Sequence, residues 1–386
     1  MLKRYLLAPG PTPVPHQAML AMAAPIIHHR TPEFSRVFRR AADGAKRLFG
    51  TTEDVMMLAA TGTGGMEAAV TNTLAKGDRV VVVRGGKFGE RWEEIATGYG
   101  LEPVVVDVEW GRAVDVAEVA AALEGDPAPK AVLMQASETS TTVFHPVAEI
   151  AGLTRERDCL LIVDGITAVG VVDMAMDATG IDVLVTGSQK ALMLPPGLAL
   201  VALSQKAWAM AEGSDLPRYY FDLAKERKNL ADDTSAYTPA VSLVSGLAAV
   251  IDLIEETGGV TEVYRRHGIL AEATRTGLTA MGLRLLAPEA PSPAATGAYL
   301  PDGVKGGEVT RYMRDVMGVT VAGGQGHLKG KIVRLAHIGY ADCFDVVVAL
   351  AALEMALARF GAAGQPGAAV AAAQPVLARL YEGEKG

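Results

Sequence analysis

Cysteine is scarce in this sequence, and positive charge is nowhere concentrated. Two of the 386 residues are cysteines, Cys159 and Cys343, which excludes a disulfide framework and a multi-cysteine metal cluster. Lysine and arginine number 36 against 44 aspartates and glutamates, and they form no basic run. A nucleic-acid partner is therefore not expected, because such partners bind through clustered lysine and arginine. No metal site is predicted either.

Long apolar segments are also lacking. Residues 1–4 lead into the proline-rich segment 6–15, and no apolar run reaches the roughly 18 residues that a membrane span requires. The sequence therefore predicts a cytoplasmic protein with neither a signal peptide nor a membrane span. Hydrophobic residues nevertheless make up 50% of the chain, which is enough for a large core and for two domains.

The segment 180–203 places a lysine between two apolar runs. Val183–Val185 and Leu198–Leu203 are short and bounded by turn residues, which predicts two neighbouring buried strands. Gln189 and Lys190 follow the first run. A lysine there is either solvated at the strand end or buried, in which case desolvation lowers its pKa and suits it to Schiff-base chemistry. The segment alone favours the solvated alternative.

Strands and helices alternate along the first two thirds of the chain. This alternation predicts an α/β fold with a mostly parallel sheet covered by helices on both faces. Such sheets bind ligands at the carboxyl ends of their strands. Side chains that could bind a ligand or react with it follow several of the predicted strands: Phe88, Thr139, Asp164 and Lys190. Phe88 is predicted to lie on a loop at the exit of its strand. We therefore expect these side chains to converge at one edge of the sheet.

A glycine-rich segment, Thr61–Gly65, separates a predicted strand over Val55–Ala59 from a helix predicted to begin near Met66. Glycine lets backbone N–H groups approach an anion, and a helix N-terminus adds partial positive charge. The N–H groups of Gly64, Gly65 and Met66 are therefore candidate phosphate donors. The segment matches neither the Walker A nor the GxGxxG motif, and a simple strand–helix turn is an equal alternative.

The second half of the chain has a less regular pattern. Helices are predicted near 242–256, 261–281 and 307–316, with strands in GLRLLA, GAYL, VTVAGG and KIVRLAHIG and a closing helix that ends at Phe360. This pattern predicts a smaller α+β domain. The predicted divisions are an N-terminal arm (1–24), a large domain (25–256), a small C-terminal domain (257–360) and an Ala/Gly-rich tail (361–386), the tail partly helical and poorly fixed.

Together these side chains describe a pocket for pyridoxal 5'-phosphate (PLP). Lys190 would form the Schiff base, and Asp164 would pair with the protonated pyridine nitrogen. Phe88 would stack on the ring, and Thr139 would hydrogen-bond its phenolic oxygen. Arg334, an isolated arginine on a predicted strand, would bind a substrate carboxylate in a bidentate manner. An ordinary salt bridge is the alternative for Arg334.

Several blocks of the chain resemble those of one enzyme family. TGTGGMEAAV, GGKFGERW, TGSQKALMLPPGLALV and GGQGHLKGKIVRLAHIG are similar to blocks of fold-type I PLP enzymes of aminotransferase class V, in the alanine/serine–glyoxylate aminotransferase group. The resemblance extends from Leu6 to about Phe360. It implies a PLP-dependent transaminase that moves an amino group from alanine or serine to glyoxylate or pyruvate by a ping-pong mechanism.

The resemblance also implies roles for further residues. Gln189 would lie beside the phosphate of the cofactor. The segment around Tyr237 and Thr238 would reach the phosphate of the partner subunit, which implies a homodimer with shared active sites. The proline-rich arm at Gly10 would help to form the substrate pocket. Lys190 itself would carry out the proton transfers at the substrate.

Two rival functions share the expected fold. A class V cysteine desulfurase or β-lyase needs a nucleophilic cysteine before the carboxylate-binding arginine, whereas Cys343 follows Arg334. Desulfurases also carry a histidine where this chain has Gln189. The second rival is a non-catalytic subunit that keeps the fold. Some proteins similar to this family are described as hydrogenase-associated subunits. An intact set of site residues argues against this rival.

Overall fold

The computed structural model describes residues 2–155, 157–362 and 364–382. Its strands are β1 (Tyr5–Leu6), β2 (Val55–Leu58), β3 (Arg79–Arg84), β4 (Glu102–Asp107), β5 (Ala131–Gln135), β6 (Ser137–Glu138), β7 (Val143–Phe144), β8 (Leu160–Asp164), β9 (Val183–Gly187), β10 (Ala199–Leu203), β11 (Ala295–Tyr299), β12 (Val319–Thr320), β13 (Ala322–Gly323) and β14 (Ile332–Ala336). Its α-helices are α1 (His16–Ala23), α2 (Pro32–Phe49), α3 (Gly62–Thr73), α4 (Lys87–Gly98), α5 (Val116–Leu123), α6 (Val147–Arg155), α7 (Met176–Thr179), α8 (Gln205–Ala211), α9 (Leu223–Leu230), α10 (Val241–Glu256), α11 (Gly259–Ala280), α12 (Gly306–Tyr312), α13 (Cys343–Arg359) and α14 (Ala368–Ala378). Among the described residues, none of the helices is both long and apolar enough to cross a bilayer.

A seven-stranded sheet in the order β2-β10-β9-β8-β5-β3-β4 forms the centre of the larger part of the molecule. The pairs β9–β8, β8–β5, β5–β3 and β3–β4 are parallel, whereas β10 runs antiparallel to β2 and β9. The predicted α/β fold with a mostly parallel sheet is therefore confirmed. The two apolar runs that flank Lys190 are indeed adjacent strands, β9 and β10.

Alternate residues of the central strands enter two separate cores. Val81 and Val83 of β3 pack in one core with α2 and α10, whereas Val80 and Val82 pack in the other with α3 and α4. Helices therefore cover both faces of the sheet. This double burial explains why the strands are apolar on both sides and do not alternate.

Helix boundaries follow local capping rules in several places. The Thr31 hydroxyl accepts a hydrogen bond from the N–H of Phe34, Pro32 opens α2, and Gly50 ends it in the left-handed conformation. Further along the chain, Asp342 and Asp345 form a capping box that opens α13. These caps fix the ends of helices that support both sheets.

A second, three-stranded antiparallel sheet in the order β11-β14-β13 lies in the C-terminal half. Strand β1 pairs in parallel with β12, so the N-terminal arm is tied to this half of the molecule. The strand predicted within GLRLLA is wrong, because only one bridge forms there, between Leu285 and Ala298. Helix α12 continues as a π-helical segment, Met313–Met317, at the end of the predicted helix.

The alanine-rich tail packs against this second sheet's helices. Ala369, Ala373 and Leu377 of α14 are buried in the core that contains α11 and α13. A Cβ on Gly277 of α11 would clash with Leu350 and touch the carbonyl of Ala369, so a glycine permits the close approach. The tail is helical as predicted, but the prediction that it is poorly fixed is wrong for the described residues.

Three histidines are buried inside the fold. Burial lowers the pKa of His145 and of His267 to about 4 and that of His337 to about 3. The ordinary value is 6.5, so the unfolded chain binds protons between pH 6.5 and 4 that the folded chain excludes. These histidines therefore contribute stability that is present above pH 6.5 and is lost as the pH falls.

Lowering the pH from 7 to 5 is expected to reduce the free energy of unfolding by about 2 kcal/mol for each buried histidine. Urea unfolding at the two pH values measures this loss. His145→Asn keeps an acceptor for the N–H of Val114. In this variant the pH-dependent loss of unfolding free energy should be smaller by about 2 kcal/mol, the contribution of one histidine. The exposed His16→Asn is the matched control. An identical pH dependence in His145→Asn and the native chain would contradict the assignment.

Candidate active site

Asp164 and Lys190 meet at the carboxyl edge of the central sheet. Asp164 is the last residue of β8, and Lys190 lies just beyond β9, its neighbour in the sheet. Burial lowers the pKa of Lys190 to about 8, although the negative charge of Asp164 works in the opposite direction. Lys190 is half-buried and its Nζ is bonded to a backbone carbonyl, so it is not a fully solvated lysine at the strand end. A lysine with a depressed pKa retains a reactive amine near neutral pH.

Asp164 is a buried carboxylate whose desolvation is only partly offset by hydrogen bonds and charges of the protein. Burial raises its pKa to about 7, and the N–H of Ile166 donates to Oδ1 at 2.8 Å. The charge of Lys190 lowers the pKa and that of Glu138 raises it. A cationic N–H group placed against this carboxylate would hold it in the charged form. The nitrogen of a protonated pyridine ring has that property.

The N-terminal arm lies directly over the lysine. Nζ of Lys190 donates to the carbonyl oxygen of Pro9 at 2.7 Å, and the hydroxyl of Thr12 donates to the carbonyl oxygen of Lys190 at 2.7 Å. A Cβ on Gly10 would overlap the lysine amine, and Gly10 has a φ of +147°, which disfavours other residues. The structure therefore brings Gly10 into contact with Lys190, and its part in a substrate pocket stays a prediction.

The glycine-rich segment forms the first turn of α3 and not a loop before it. The N–H groups of Gly64 and Gly65 both donate to the carbonyl of Thr61, at 2.8 and 3.3 Å. Within the described residues, the N–H groups of Gly62 and Thr63 have no acceptor. These two N–H groups therefore lie two residues closer to the N-terminus than the donors predicted from the sequence. The predicted helix start near Met66 is wrong, because the helix begins at Gly62.

Packing explains why glycine is needed further into this turn. A Cβ on Gly65 would lie 2.6 Å from Cγ1 of Val185, and a Cβ on Gly64 would lie 2.8 Å from Cβ of Ala60. Met66 is fully buried in the core beneath the helix. Helix α3 therefore packs closely on its neighbours through Gly64, Gly65 and Met66. This packing fixes the N-terminus of α3 at the site.

Gln189 lies beside the start of α3. A Cβ on Gly187 would be 3.0 Å from Oε1 of Gln189 and 3.3 Å from the backbone nitrogen of Gly62, so both groups flank the same point. Oε1 of Gln189 is buried, and no group of the described residues donates to it. A polar ligand at the end of α3 would contact this side chain.

Phe88 lies in the first turn of α4, which corrects the prediction that it lies on a loop. The carboxylate of Glu138 accepts hydrogen bonds from the N–H groups of Phe88 and Gly89, at 3.0 and 3.1 Å, and from Ser140. This buried carboxylate caps the positive end of the helix. A Cβ on Gly86 would overlap Glu138. The capping therefore fixes the position of Phe88.

Arg334 reaches from the second sheet to the first. Its Nη1 donates to the carbonyl oxygen of Thr139 at 2.6 Å, and its Nε donates to that of Gly323 at 3.0 Å. Within the described residues no carboxylate lies within 4.0 Å of it, so the salt-bridge alternative is wrong. Burial lowers its pKa to about 10, which the charge of Glu138 partly opposes. A guanidinium held by neutral carbonyls keeps its charge available for an anion.

The hydroxyl of Thr139 lies in the same region. Its Oγ1 is 2.9 Å from Oγ1 of Thr167, and that of Thr167 donates to the carbonyl of Ser137 at 3.0 Å. Because the hydroxyl of Thr167 donates its hydrogen to the carbonyl of Ser137, it accepts a hydrogen bond from the hydroxyl of Thr139. The role of Thr139 towards a phenolic oxygen stays a prediction.

The family model described as Aminotransferase class-V matches residues 4–336. The chain belongs to the class V aminotransferase family. It is 40% identical over 379 residues to a protein of Synechococcus sp. (strain PCC 6716) named soluble hydrogenase, small subunit, covering 97% of this chain and 98% of the relative. It is 35% identical over 388 residues to the serine–glyoxylate aminotransferase of Methylorubrum extorquens, covering 97% and 96%.

Among solved structures, an aspartate aminotransferase of subgroup IV from Thermus thermophilus superposes with a TM-score of 0.85 at 34% identity, covering 92% of this chain and 99% of that one. The fold is therefore that of fold-type I PLP enzymes. This class V aminotransferase uses PLP as its cofactor. Its own residues fit the group, because the under-compensated carboxylate of Asp164 suits a pyridinium and the N–H groups of Gly62 and Thr63 suit a phosphate.

Tyr237 and Thr238 lie away from these residues in the aminotransferase chain. Oη of Tyr237 donates to the carbonyl of Tyr219 at 2.8 Å, and its ring stacks on Tyr220 with centroids 5.2 Å apart. Thr238 is exposed. These positions do not contact Lys190 of the same protomer in the described structure. Their contact with a partner's phosphate stays a prediction.

Two residues of the aminotransferase site escaped the sequence analysis. Glu138 orients the start of α4, and Arg91 lies near enough for its charge to lower the pKa of both Asp164 and Lys190. The sequence did carry a signal for Arg91, since Phe88 and Arg91 are spaced for one face of a helix. Treating Phe88 as a loop residue hid that relation.

Proposed function

We propose that this class V aminotransferase moves an amino group from a small amino acid, alanine or serine, to a small 2-oxo acid, glyoxylate or pyruvate, by a ping-pong mechanism. The observation that carries the proposal is the convergence of Lys190, Asp164 and Arg334. Lys190 supplies a reactive amine, and the charges of both Asp164 and Arg334 act on its pKa, so the three groups lie near one another. Asp164 is a carboxylate suited to a pyridinium, and among the described residues no carboxylate lies within 4.0 Å of the Arg334 guanidinium. These are the groups that transamination of an amino acid requires.

Two further observations support small substrates. The arm at Pro9 and Gly10 lies in contact with Lys190, which restricts the space beside the reacting carbon. The 35% identical relative is named for serine and glyoxylate. The aspartate aminotransferase from Thermus thermophilus makes aspartate the donor to test against them.

In the proposed mechanism Arg334 binds the substrate carboxylate in a bidentate manner and orients the Cα–H bond. When bound, PLP supplies an electron sink that stabilises negative charge at the substrate Cα. The amine of Lys190 takes the proton from Cα of the amino donor. In the second half-reaction the same amine gives a proton to Cα of the newly formed amino acid. The carbonyl of Pro9 orients that amine between steps, and Asp164 holds a proton on the pyridine nitrogen by its negative charge.

The remaining site residues complete the proposal. Phe88 stacks on the ring and Thr139 bonds the phenolic oxygen. The phosphate is bound by Gln189 and the start of α3, at Gly62 and Thr63, with Gly64, Gly65 and Met66 seating that helix. We also propose a cytoplasmic homodimer in which Tyr237 and Thr238 complete the partner's phosphate site. The domain division proposed is arm 1–24, large domain 25–256, small domain 257–360 and tail 361–386.

The visible absorption spectrum of the purified protein tests this function. The band of the lysine-bound cofactor should bleach on addition of L-alanine or L-serine alone and return on addition of glyoxylate or pyruvate. L-Aspartate is the comparison donor. Bleaching by aspartate and by neither small amino acid would overturn the proposed substrate class. A band that no amino acid changes would overturn transamination.

A non-catalytic subunit is the second candidate, favoured by the name of the 40% identical relative. It predicts that no PLP band forms even after PLP is added. The intact Lys190, Asp164 and Arg334 argue against it. The desulfurase alternative finds no support, because Cys343 is buried at the start of α13 with Sγ 2.8 Å from Oη of Tyr381.

A further inference from the structure

Arg91 is a cation without an acidic partner at the start of α3. It extends from the second turn of α4, and Nη1 donates to Oγ1 of Thr63 at 3.2 Å. Its Cζ lies 4.8 Å from the centroid of the Phe88 ring. Within the described residues no carboxylate lies within 4.0 Å of the guanidinium. The nearby Lys87, by contrast, pairs with Glu90.

Positive charge accumulates at this end of the site. Arg91 lies beside the N-terminus of α3, whose unpaired N–H groups carry partial positive charge. The charge of Arg91 lowers the pKa of both Asp164 and Lys190, so Arg91 is electrostatically coupled to one acidic and one basic group of the site. The nearby carboxylate of Glu138 is committed to backbone N–H groups of α4. A dianion bound at the start of α3 would lie against the guanidinium of Arg91 and the N–H groups of Gly62 and Thr63, which have no acceptor among the described residues.

We propose that Arg91 binds the phosphate of the cofactor, together with the N–H groups of Gly62 and Thr63. The proposal rests on the assignment of the start of α3 as the phosphate end of the PLP site. Arginine binds phosphate through several N–H groups at once, which makes such contacts stronger than neutral hydrogen bonds. Thr63 holds the guanidinium at the helix terminus, and the face of Phe88 supports it from the side.

The Phe88 contact suggests a rival role, in which Arg91 only supports the ring that stacks on the cofactor. The two roles predict different dependence on the phosphate. A phosphate ligand affects binding of PLP but not of pyridoxal, which has the same ring and aldehyde and lacks the phosphate. A support for Phe88 affects both compounds equally.

The experiment measures equilibrium binding of PLP and of pyridoxal to the cofactor-stripped full-length chain. In Arg91→Met the dissociation constant of PLP should rise about 10- to 100-fold, the range expected for a lost hydrogen bond between charged groups. That of pyridoxal should stay within about twofold. Inorganic phosphate should compete with PLP in the native chain and much less in the variant. Lys87→Met, which removes a paired lysine from the same helix, should change none of these values.

Equal weakening of PLP and pyridoxal would overturn the phosphate role, as would unchanged binding of both. Arg91→Lys serves if Arg91→Met does not fold, and it should retain part of the preference for PLP because it keeps a cation without the arginine fork. A native chain that binds no PLP would instead overturn the proposed function. A native chain that transaminates while Arg91→Met keeps its full preference for PLP would overturn this inference alone.

Discussion

Replacing Lys190 with alanine is expected to lower kcat for transamination by at least about 1,000-fold. The variant loses the amine that takes the proton from Cα, and proton transfer by a positioned side chain contributes roughly 100- to 10,000-fold. Lys190 is suited to this step because burial lowers its pKa to about 8. Steady-state assays with alanine and glyoxylate measure the loss.

A second measurement separates loss of chemistry from loss of fold. Lys190→Ala should still bind PLP through Phe88, Asp164 and the start of α3, but borohydride should no longer attach the cofactor covalently, as intact mass would show. Added ethylamine should restore part of the rate, because a free amine can carry the proton. The matched control is Lys130→Ala, which removes an exposed lysine paired with Asp158. Turnover close to that of the native chain would overturn the role of Lys190.

The edge of the sheet was predictable from sequence because it follows from strand ends. Asp164 and Lys190 each follow a short apolar run, and the carboxyl ends of neighbouring parallel strands necessarily share an edge. The register of β8 and β9 confirms that placement. Arg334 was recognisable as the arginine within an apolar strand, because a buried charge needs a partner.

Contacts between distant segments were not predictable in the same way. Helix α3 begins at Gly62 although glycine disfavours helices, because Gly65 allows it to pack on Val185. Phe88 belongs to a helix because Glu138, 50 positions away, caps its first turn. Neither partner is identifiable from the local pattern. Tertiary packing overrode local propensity at both places.

The tail shows the same limit for composition. Its alanines and glycines predicted loose structure, yet small residues let α14 approach α11 closely, at Gly277 and Ala369. Composition records what a segment lacks, whereas packing depends on the shape of the partner. The same reasoning applies to the arm, where Gly10 is required because Lys190 lies beneath it.

Replacing Arg334 with leucine is expected to reduce kcat/KM for the amino donor by about 100-fold, with most of the effect in KM. The loss corresponds to about 3 kcal/mol, the upper range for a hydrogen bond to a charged group. KM for the 2-oxo acid should rise in parallel, because both substrates present a carboxylate to the same guanidinium. Initial-rate assays that vary each substrate separately test this parallel change.

The matched control is Arg284→Leu, an exposed arginine that lies 3.7 Å from the ring centroid of Tyr299 beside the same sheet. It should leave both KM values unchanged. Arg334→Leu should also bind PLP normally, because the guanidinium bonds to Thr139 and Gly323 and does not lie at the start of α3. A rise in KM for one substrate only would assign the other carboxylate to a different cation. An unchanged KM for both substrates would mean that Arg334 only links the two sheets through its hydrogen bonds. The proposed function would then lack a residue that binds the substrate carboxylate.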